Sequence, residues 1–220
     1  MSDKIKNSYK ASKNIYDDTL TQSKWWSRMY IKFFWGGVDD NEIAREVLKY
    51  IPDNFSGRLL DVPVGTAVFT YQKYKTLKTA DITCLDYSMD MLEQAEKKFA
   101  ENNVNNVTTV QGDVGNLQFE NESFDIVLSM NGFHAFPDKK RAYAEVERVL
   151  KQGGKFIGCF YIKGKSKKTD WLVNNILAKK GWFTPPFDTV ASLEETLNKH
   201  YRIKNFHVKG SMVYFCAVKR

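Results

Sequence analysis

The chain has 220 residues, 43% hydrophobic and 27% charged, a balance that fits a folded domain with a sizeable core and excludes a collagen-like or disordered chain. Its longest stretch without Asp, Glu, Lys or Arg is 12 residues, 126–137, against the roughly 20 a membrane-spanning helix needs. The net charge of +7 is unevenly spread: residues 36–138 carry 8 basic and 17 acidic side chains, and residues 139–220 carry 18 and 6.

A Lys-rich solvated surface accounts for the basic part; a face for an anionic partner is the sharper reading. Cys84, Cys159 and Cys216 stand singly in apolar segments. That spacing suits neither a metal site nor a disulfide framework, and it points to reduced core thiols in a cytoplasmic protein.

Residues 1–35 read as an N-terminal helical extension to a single domain over 36–220. Between positions 25 and 35 lie six aromatics: Trp25, Trp26, Tyr30, Phe33, Phe34 and Trp35. So apolar a segment packs on the domain, closes as a lid over an apolar acceptor pocket, or touches a membrane surface.

Further along, helix and strand patterns alternate. A helix over 39–51 precedes a strand at 58–62, and a helix over 66–77 follows. A strand at 82–87 leads to a helix at 88–101, with Ser88 as N-cap and Met91, Leu92, Ala95 and Phe99 as its apolar stripe. Glu93 and Lys97 are spaced as an i,i+4 ion pair on that helix. Strands follow at 107–112 and 124–130, then a helix at 137–151 stopped by Gly153-Gly154, and a strand at 155–162.

The C-terminal part carries a helix near 169–180 and an irregular turn around Pro185-Pro186. A capping box with Ser192 as N-cap and Glu195 three residues on starts the next helix. Two strands, 202–208 and 212–218, are joined by Lys209-Gly210-Ser211 as a hairpin. The near-continuous apolar runs of the earlier strands predict burial on both faces. The fold class is therefore α/β: a Rossmann-like, seven-stranded, mostly parallel sheet with a C-terminal antiparallel hairpin and helices on both faces.

Ligands of such sheets sit at the carboxyl ends of the strands. Three of those ends carry an acid: Asp61, Asp86 and Asp113. Such a rim suits a cationic, ribose-bearing ligand better than a pyrophosphate. The fourth end reads Asn131-Gly132-Phe133-His134.

These segments together resemble the class I S-adenosylmethionine-dependent methyltransferases, within the small-molecule group that includes the ubiquinone- and menaquinone-biosynthesis enzymes. The family's glycine-rich first motif matches residues 61–67 in part: Pro63 and Ala67 stand where it has glycines, and Gly65 remains. Asp86 matches its ribose-binding acid, and Gly112-Asp113-Val114 its adenine-binding segment. The strand and loop over 124–138 and the turn over 149–154 also match.

The resemblance implies S-adenosyl-L-methionine as cofactor, held by Tyr16, Asp61, Pro63, Gly65, Thr66, Asp86, Tyr87, Asp113, Val114 and Asn131. It implies a small-molecule acceptor, shaped by Trp25, Trp26 and Phe133. His134 is the candidate general base, against a plainer reading as a packed histidine.

The glycine losses argue against a nicotinamide enzyme, whose loop must approach a pyrophosphate closely. They leave a non-catalytic cofactor-binding relative as an alternative. The loop after the fourth strand lacks the Asn/Asp-Pro-Pro-aromatic motif of DNA amino-methylating enzymes, and no Pro-Cys nucleophile occurs, so DNA is excluded as substrate. An RNA substrate for the basic C-terminal part stays as the other alternative, less favoured than a small molecule, as is membrane-surface contact.

Overall fold

The structure, a computed structural model, describes residues 40–220. Tyr16, Trp25 and Trp26, and with them the proposed lid, lie outside the described residues. The elements alternate as the sequence pattern predicts. Helix α1 (Asp40–Leu48) precedes β1 (Arg58–Asp61), α2 (Tyr71–Thr76), β2 (Asp81–Asp86), α3 (Met89–Glu101) and β3 (Val107–Gln111). Strand β4 (Phe124–Met130), α4 (Lys139–Val149) and β5 (Leu150–Tyr161) follow. The chain closes with α5 (Lys167–Leu172), a π-helical turn Val173–Leu177, α6 (Val190–His200), β6 (Tyr201–Lys209) and β7 (Met212–Lys219).

The seven strands form one sheet in the order β3-β2-β1-β4-β5-β7-β6. The first five are mutually parallel, and β7 enters antiparallel between β5 and β6. The strand order reverses between β1 and β4, so the crevice at their carboxyl ends is the natural ligand position. Two apolar clusters cover the two faces. One gathers α1, α3 and the π-helical turn, and the other gathers α4 and α6.

Helix α3 shows why the sequence pattern translates so directly. The Ser88 hydroxyl accepts from the Met91 N–H, and Met91, Leu92, Ala95 and Phe99 are the buried face. Burying each larger side chain of that stripe contributes about 1.5–3 kcal/mol.

Several boundaries move. The first crossover helix begins at Tyr71 rather than at 66, because Gly65 and Ala67 adopt positive φ and hold residues 65–70 in turns. Helix α4 passes into β5 at Leu150 with no glycine stop; Gly153 and Gly154 lie inside the strand. The capping box of α6 uses Thr189 as N-cap and Ser192 as its reciprocal partner, one turn earlier than expected, since Val190 already packs against the core. Lys97 pairs with Glu101 at 3.9 Å rather than with Glu93. Strand β3 is only partly buried on either face, because it is the sheet edge, where Val107 and Val110 pack at the margins of the two apolar clusters.

Gly158 on β5 lies opposite Phe215 on β7. A Cβ at Gly158 would come within 2.7 Å of the Phe215 ring, which is itself wedged edge-on against Phe156 and Phe160. Gly158→Ala is therefore expected to destabilise by about 1–3 kcal/mol through overpacking, outweighing the roughly 0.5–1 kcal/mol that a strand gains from losing a glycine. Urea unfolding checks this; an unchanged or raised midpoint would show that the ring can move aside.

Candidate functional site

One cavity lies at the carboxyl ends of β1, β2 and β4, beside the segment after β3. It gathers Asp61, Pro63, Gly65, Thr66, Asp86, Tyr87, Asp113, Val114, Asn131 and His134. Ten of the residues singled out in the sequence are thus brought together by the fold. Phe133 is not: it is fully buried under the loop, stacked on Tyr143 at 4.2 Å and packed against Phe136, Phe156 and Phe160. Phe133 turns to the core while Asn131 and His134 face the cavity, so Phe133 does not line it.

Asp61 ends β1 with 1% exposure. One carboxylate oxygen accepts from the Tyr74 hydroxyl at 2.7 Å. The other, Oδ1, is buried with no hydrogen-bond partner among the described residues. Burial pushes the carboxyl up to about 7 against the opposing pull of the Tyr74 hydroxyl, and the nearby Asp86 adds to the rise. An orphaned buried carboxylate oxygen is costly unless something cationic or a donor covers it.

The loop after β1 runs through Pro63, whose peptide bond with Val62 is cis, to Gly65 at φ +56°. The Gly65 N–H donates to Asp86 at 2.9 Å, so this amide ties β1's loop to β2 instead of pointing at a ligand. A Cβ at Gly65 would meet nothing within 4 Å; the glycine serves the left-handed backbone and leaves open space before it. Ala67 and Asn131 also sit at φ +56°, a conformation costing non-glycine residues about 1–2 kcal/mol each. The ring of Pro63 lies where a Cβ on Gly132 would fall, at 2.3 Å, so loop and crevice wall interlock.

Asp86 is buried at the tip of β2. Its second oxygen accepts from the Ser88 N–H at 2.9 Å. Burial raises its pKa, and the backbone donors of Ser88, Gly65 and Tyr87 oppose the rise. Each oxygen keeps a lone pair, so the carboxylate is held rigidly and can still accept from two hydroxyls. Past β3, Asp113 folds back to accept from the Gly115 N–H at 2.8 Å, which fixes the turn that presents Val114.

Asn131 follows β4, with its N–H given to the Cys159 carbonyl at 2.7 Å and its Oδ1 buried and unpartnered among the described residues. His134 is 6% exposed. Its Nδ1 accepts from the Tyr161 N–H at 3.3 Å, and its ring stacks on Phe183 at 4.0 Å. Burial, reinforced by Lys139, pushes its pKa down to about 3. With Nδ1 accepting, the neutral ring carries its proton on Nε2 and presents a donor, not a lone pair. That is poor chemistry for a base.

The fourth wall comes from residues 181–184, in the irregular turn that the sequence predicts before α6. Gly181, Trp182, Phe183 and Thr184 line the cavity. Thr184 is clamped to the post-β4 loop: its N–H donates to the His134 carbonyl and its hydroxyl to the Ala135 carbonyl, both at 2.9 Å. The Lys139 ammonium adds bonds to the carbonyls of Thr184 at 2.5 Å and Phe136 at 3.2 Å. Its burial lowers its pKa to about 8. The aromatic density over 182–187 was the available signal for this wall.

The described residues contain no cluster of three or more His, Cys, Asp or Glu placed to hold a metal, and no helix long and apolar enough to cross a membrane.

Residues 59–154 match the family described as Methyltransferase domain. An uncharacterised chloroplastic methyltransferase of Arabidopsis thaliana is 31% identical over 153 residues, 67% of this chain and 42% of that protein. The demethylmenaquinone methyltransferase of Staphylococcus haemolyticus is 37% identical over 114 residues, 51% of this chain and 47% of that protein. The chain thus spans less than half the length of these curated relatives. Among solved structures, an S-adenosylmethionine-dependent methyltransferase from Aquifex aeolicus superposes with a TM-score of 0.63 at 16% identity, covering 80% of this chain and 89% of that one.

The raised Asp61 pKa has a consequence for stability. The folded value lies near 7 and the ordinary unfolded value near about 3.9, so the native state binds the proton more tightly. This contribution is fully present below about pH 4 and is lost as pH rises through 7. Relative to wild type, Asp61→Asn should gain up to about 1.4 kcal/mol per pH unit between roughly pH 4 and 7. Urea unfolding of both proteins across that range checks this; parallel pH dependences would contradict it.

Proposed function

We propose that this chain is an S-adenosylmethionine-dependent methyltransferase that transfers a methyl group to a small lipophilic acceptor, a reading supported by its match to a methyltransferase-domain family over residues 59–154 and its likeness to demethylmenaquinone methyltransferases. The observation that carries the reading is the pair of buried oxygens without a partner among the described residues, Asp61 Oδ1 and Asn131 Oδ1, on two walls of one cavity. Two acceptors with no donor of their own fit the ammonium of an amino-acid tail. Asp61, ionised when a cation is near, and Asn131 would hold that end. Asp86 would accept from the ribose hydroxyls, and Asp113, Val114 and Tyr87 would bracket the adenine. Pro63, Gly65 and Thr66 would form the floor between them. When bound, S-adenosylmethionine supplies a sulfonium-activated methyl group, so a positioned acceptor and exclusion of water supply much of the remaining acceleration.

Trp182, Phe183 and Phe69 give the rest of the cavity an apolar, aromatic lining. This supports a flat lipophilic acceptor, as the demethylmenaquinone of the named relatives would be. His134 would donate its Nε2–H to an acceptor oxygen and orient it. The sequence leaves His134 between a candidate general base and a packed histidine; its hydrogen bond and burial support this orienting role.

The cofactor is tested by thermal unfolding with S-adenosylhomocysteine and, separately, with NAD. At about 100 times the dissociation constant a ligand adds about 2.7 kcal/mol, a rise of roughly 5–11 °C for a chain of this size. S-adenosylhomocysteine alone should produce it, and Asp86→Ala should keep the fold while losing it. A rise with NAD, or an Asp86→Ala variant that binds normally, would overturn the assignment.

For His134 the decisive measurement is the pH–rate profile with a demethylmenaquinone acceptor. An imidazole whose pKa sits near 3 gives no ionisation between pH 5.5 and 8. His134→Ala should lose roughly 2–10-fold in kcat/KM, the worth of one hydrogen bond. Complete loss of activity together with a step near pH 6.5 in the wild type would restore the base.

A further inference from the structure

Between β5 and α6 the chain makes a strap, residues 163–187, whose outer surface serves neither the core nor the cavity. It carries six lysines, at positions 163, 165, 167, 168, 179 and 180, and one acid, Asp170. All six lysines are exposed, and none forms an ion pair among the described residues. The acid is taken up internally: Asp170 accepts from the Tyr161 hydroxyl at 2.6 Å and from the Gly164 N–H at 3.0 Å. The strap therefore presents uncompensated positive charge.

Its helical part is amphipathic in an unusual way. Thr169, Val173 and Leu177, spaced by four, are buried and face the domain. The opposite side holds Lys167, Lys168, Trp171 and Lys179, all exposed. Trp171 is 61% exposed, the most exposed large hydrophobic side chain among the described residues. With the inner face already packed, an outward tryptophan has no core to enter. Lys180 lies over the Trp182 ring at 5.0 Å, and Trp182 lines the cavity. The basic, Trp-bearing face thus adjoins the aromatic wall of the site.

We propose that this strap docks the protein on an anionic lipid bilayer, with Trp171 at headgroup depth and the lysines against acidic headgroups. A tryptophan among lysines on one helix face is the side-chain set that the bilayer interface favours. Each lysine near such a surface contributes about 1 kcal/mol, roughly fivefold in partitioning. An RNA surface would use the same charge, but a lone projecting indole on a convex helix offers no groove of stacking platforms. The location beside Trp182 rests on the proposed methyl transfer only for its meaning: a lipophilic acceptor would enter from the bilayer. The docking itself requires no turnover.

The test is flotation of the full chain with vesicles of 70% phosphatidylcholine and 30% phosphatidylglycerol, and with pure phosphatidylcholine. The protein should bind the anionic vesicles at least tenfold more tightly, and added salt should weaken that binding. Replacing Lys167, Lys168, Lys179 and Lys180 together by Gln should lower partitioning more than about 100-fold. Trp171→Ser should independently lower it several-fold. All five positions are exposed, and unchanged melting points would show both variants folded. Equal binding to both vesicle types, or unchanged binding by both variants, would overturn the proposal. So would retention on polyuridylate RNA without vesicle binding. Failure of the methyl-transfer reading would appear separately, as no thermal shift with S-adenosylhomocysteine.

Discussion

The site depends first on a carboxylate that cannot be solvated. Asp61 ends a central strand of the sheet, almost wholly buried, and only one of its oxygens is hydrogen-bonded among the described residues. Its burial constrains what surrounds it. Tyr74 must bring a hydroxyl from α2, and the loop between them must curl tightly enough to allow that contact. The left-handed backbone at Gly65 and Ala67 makes the curl. The unfavourable half of the arrangement, a proton held to about neutral pH, is what a cationic ligand would relieve.

A second tie makes the crevice one rigid object. Asp86 accepts the Gly65 amide and so links the tips of β1 and β2, while Gly132 admits the Pro63 ring and links the β1 loop to the β4 loop. The motif's lost glycines gain an explanation here. A proline suffices where its ring fills a neighbour's empty Cβ position. An alanine suffices at the cost of a strained φ. Neither substitution needs a phosphate to be approached.

The wall from the strap has a different physical basis. Thr184 and Lys139 fasten it to the post-β4 loop through four hydrogen bonds to backbone or from it, and His134 and Phe183 close the seam by stacking. The histidine is thereby made part of a wall. Its Nδ1 is taken by the backbone of β5, and it offers the cavity a single N–H. Of the two sequence readings, candidate base and packed histidine, the packing on Phe183 and the Nδ1 bond agree with the second.

Much was legible in the sequence because it was local. Strand β4 and the buried stripe and N-cap of α3 follow from periodicity and one serine, and the acids at three strand tips follow from where apolar runs stop. Other features could not be read that way. Whether Phe133 or His134 turns to the cavity depends on a single residue of register in a loop. The start of α2 depends on the positive φ of Ala67, in a loop tied to Asp86 through the Gly65 amide and to Asp61 through Tyr74. The choice of Thr189 over Ser192 as cap depends on which neighbours find a core. The sequence by itself determined the alternating elements, the sheet class and the acids of the rim, since hydrophobic periodicity and turn chemistry act over a few residues. Only the tertiary structure decided which groups are dry, which oxygens lack partners and which wall closes the cavity. Burial and hydrogen-bond satisfaction arise between segments far apart in the chain.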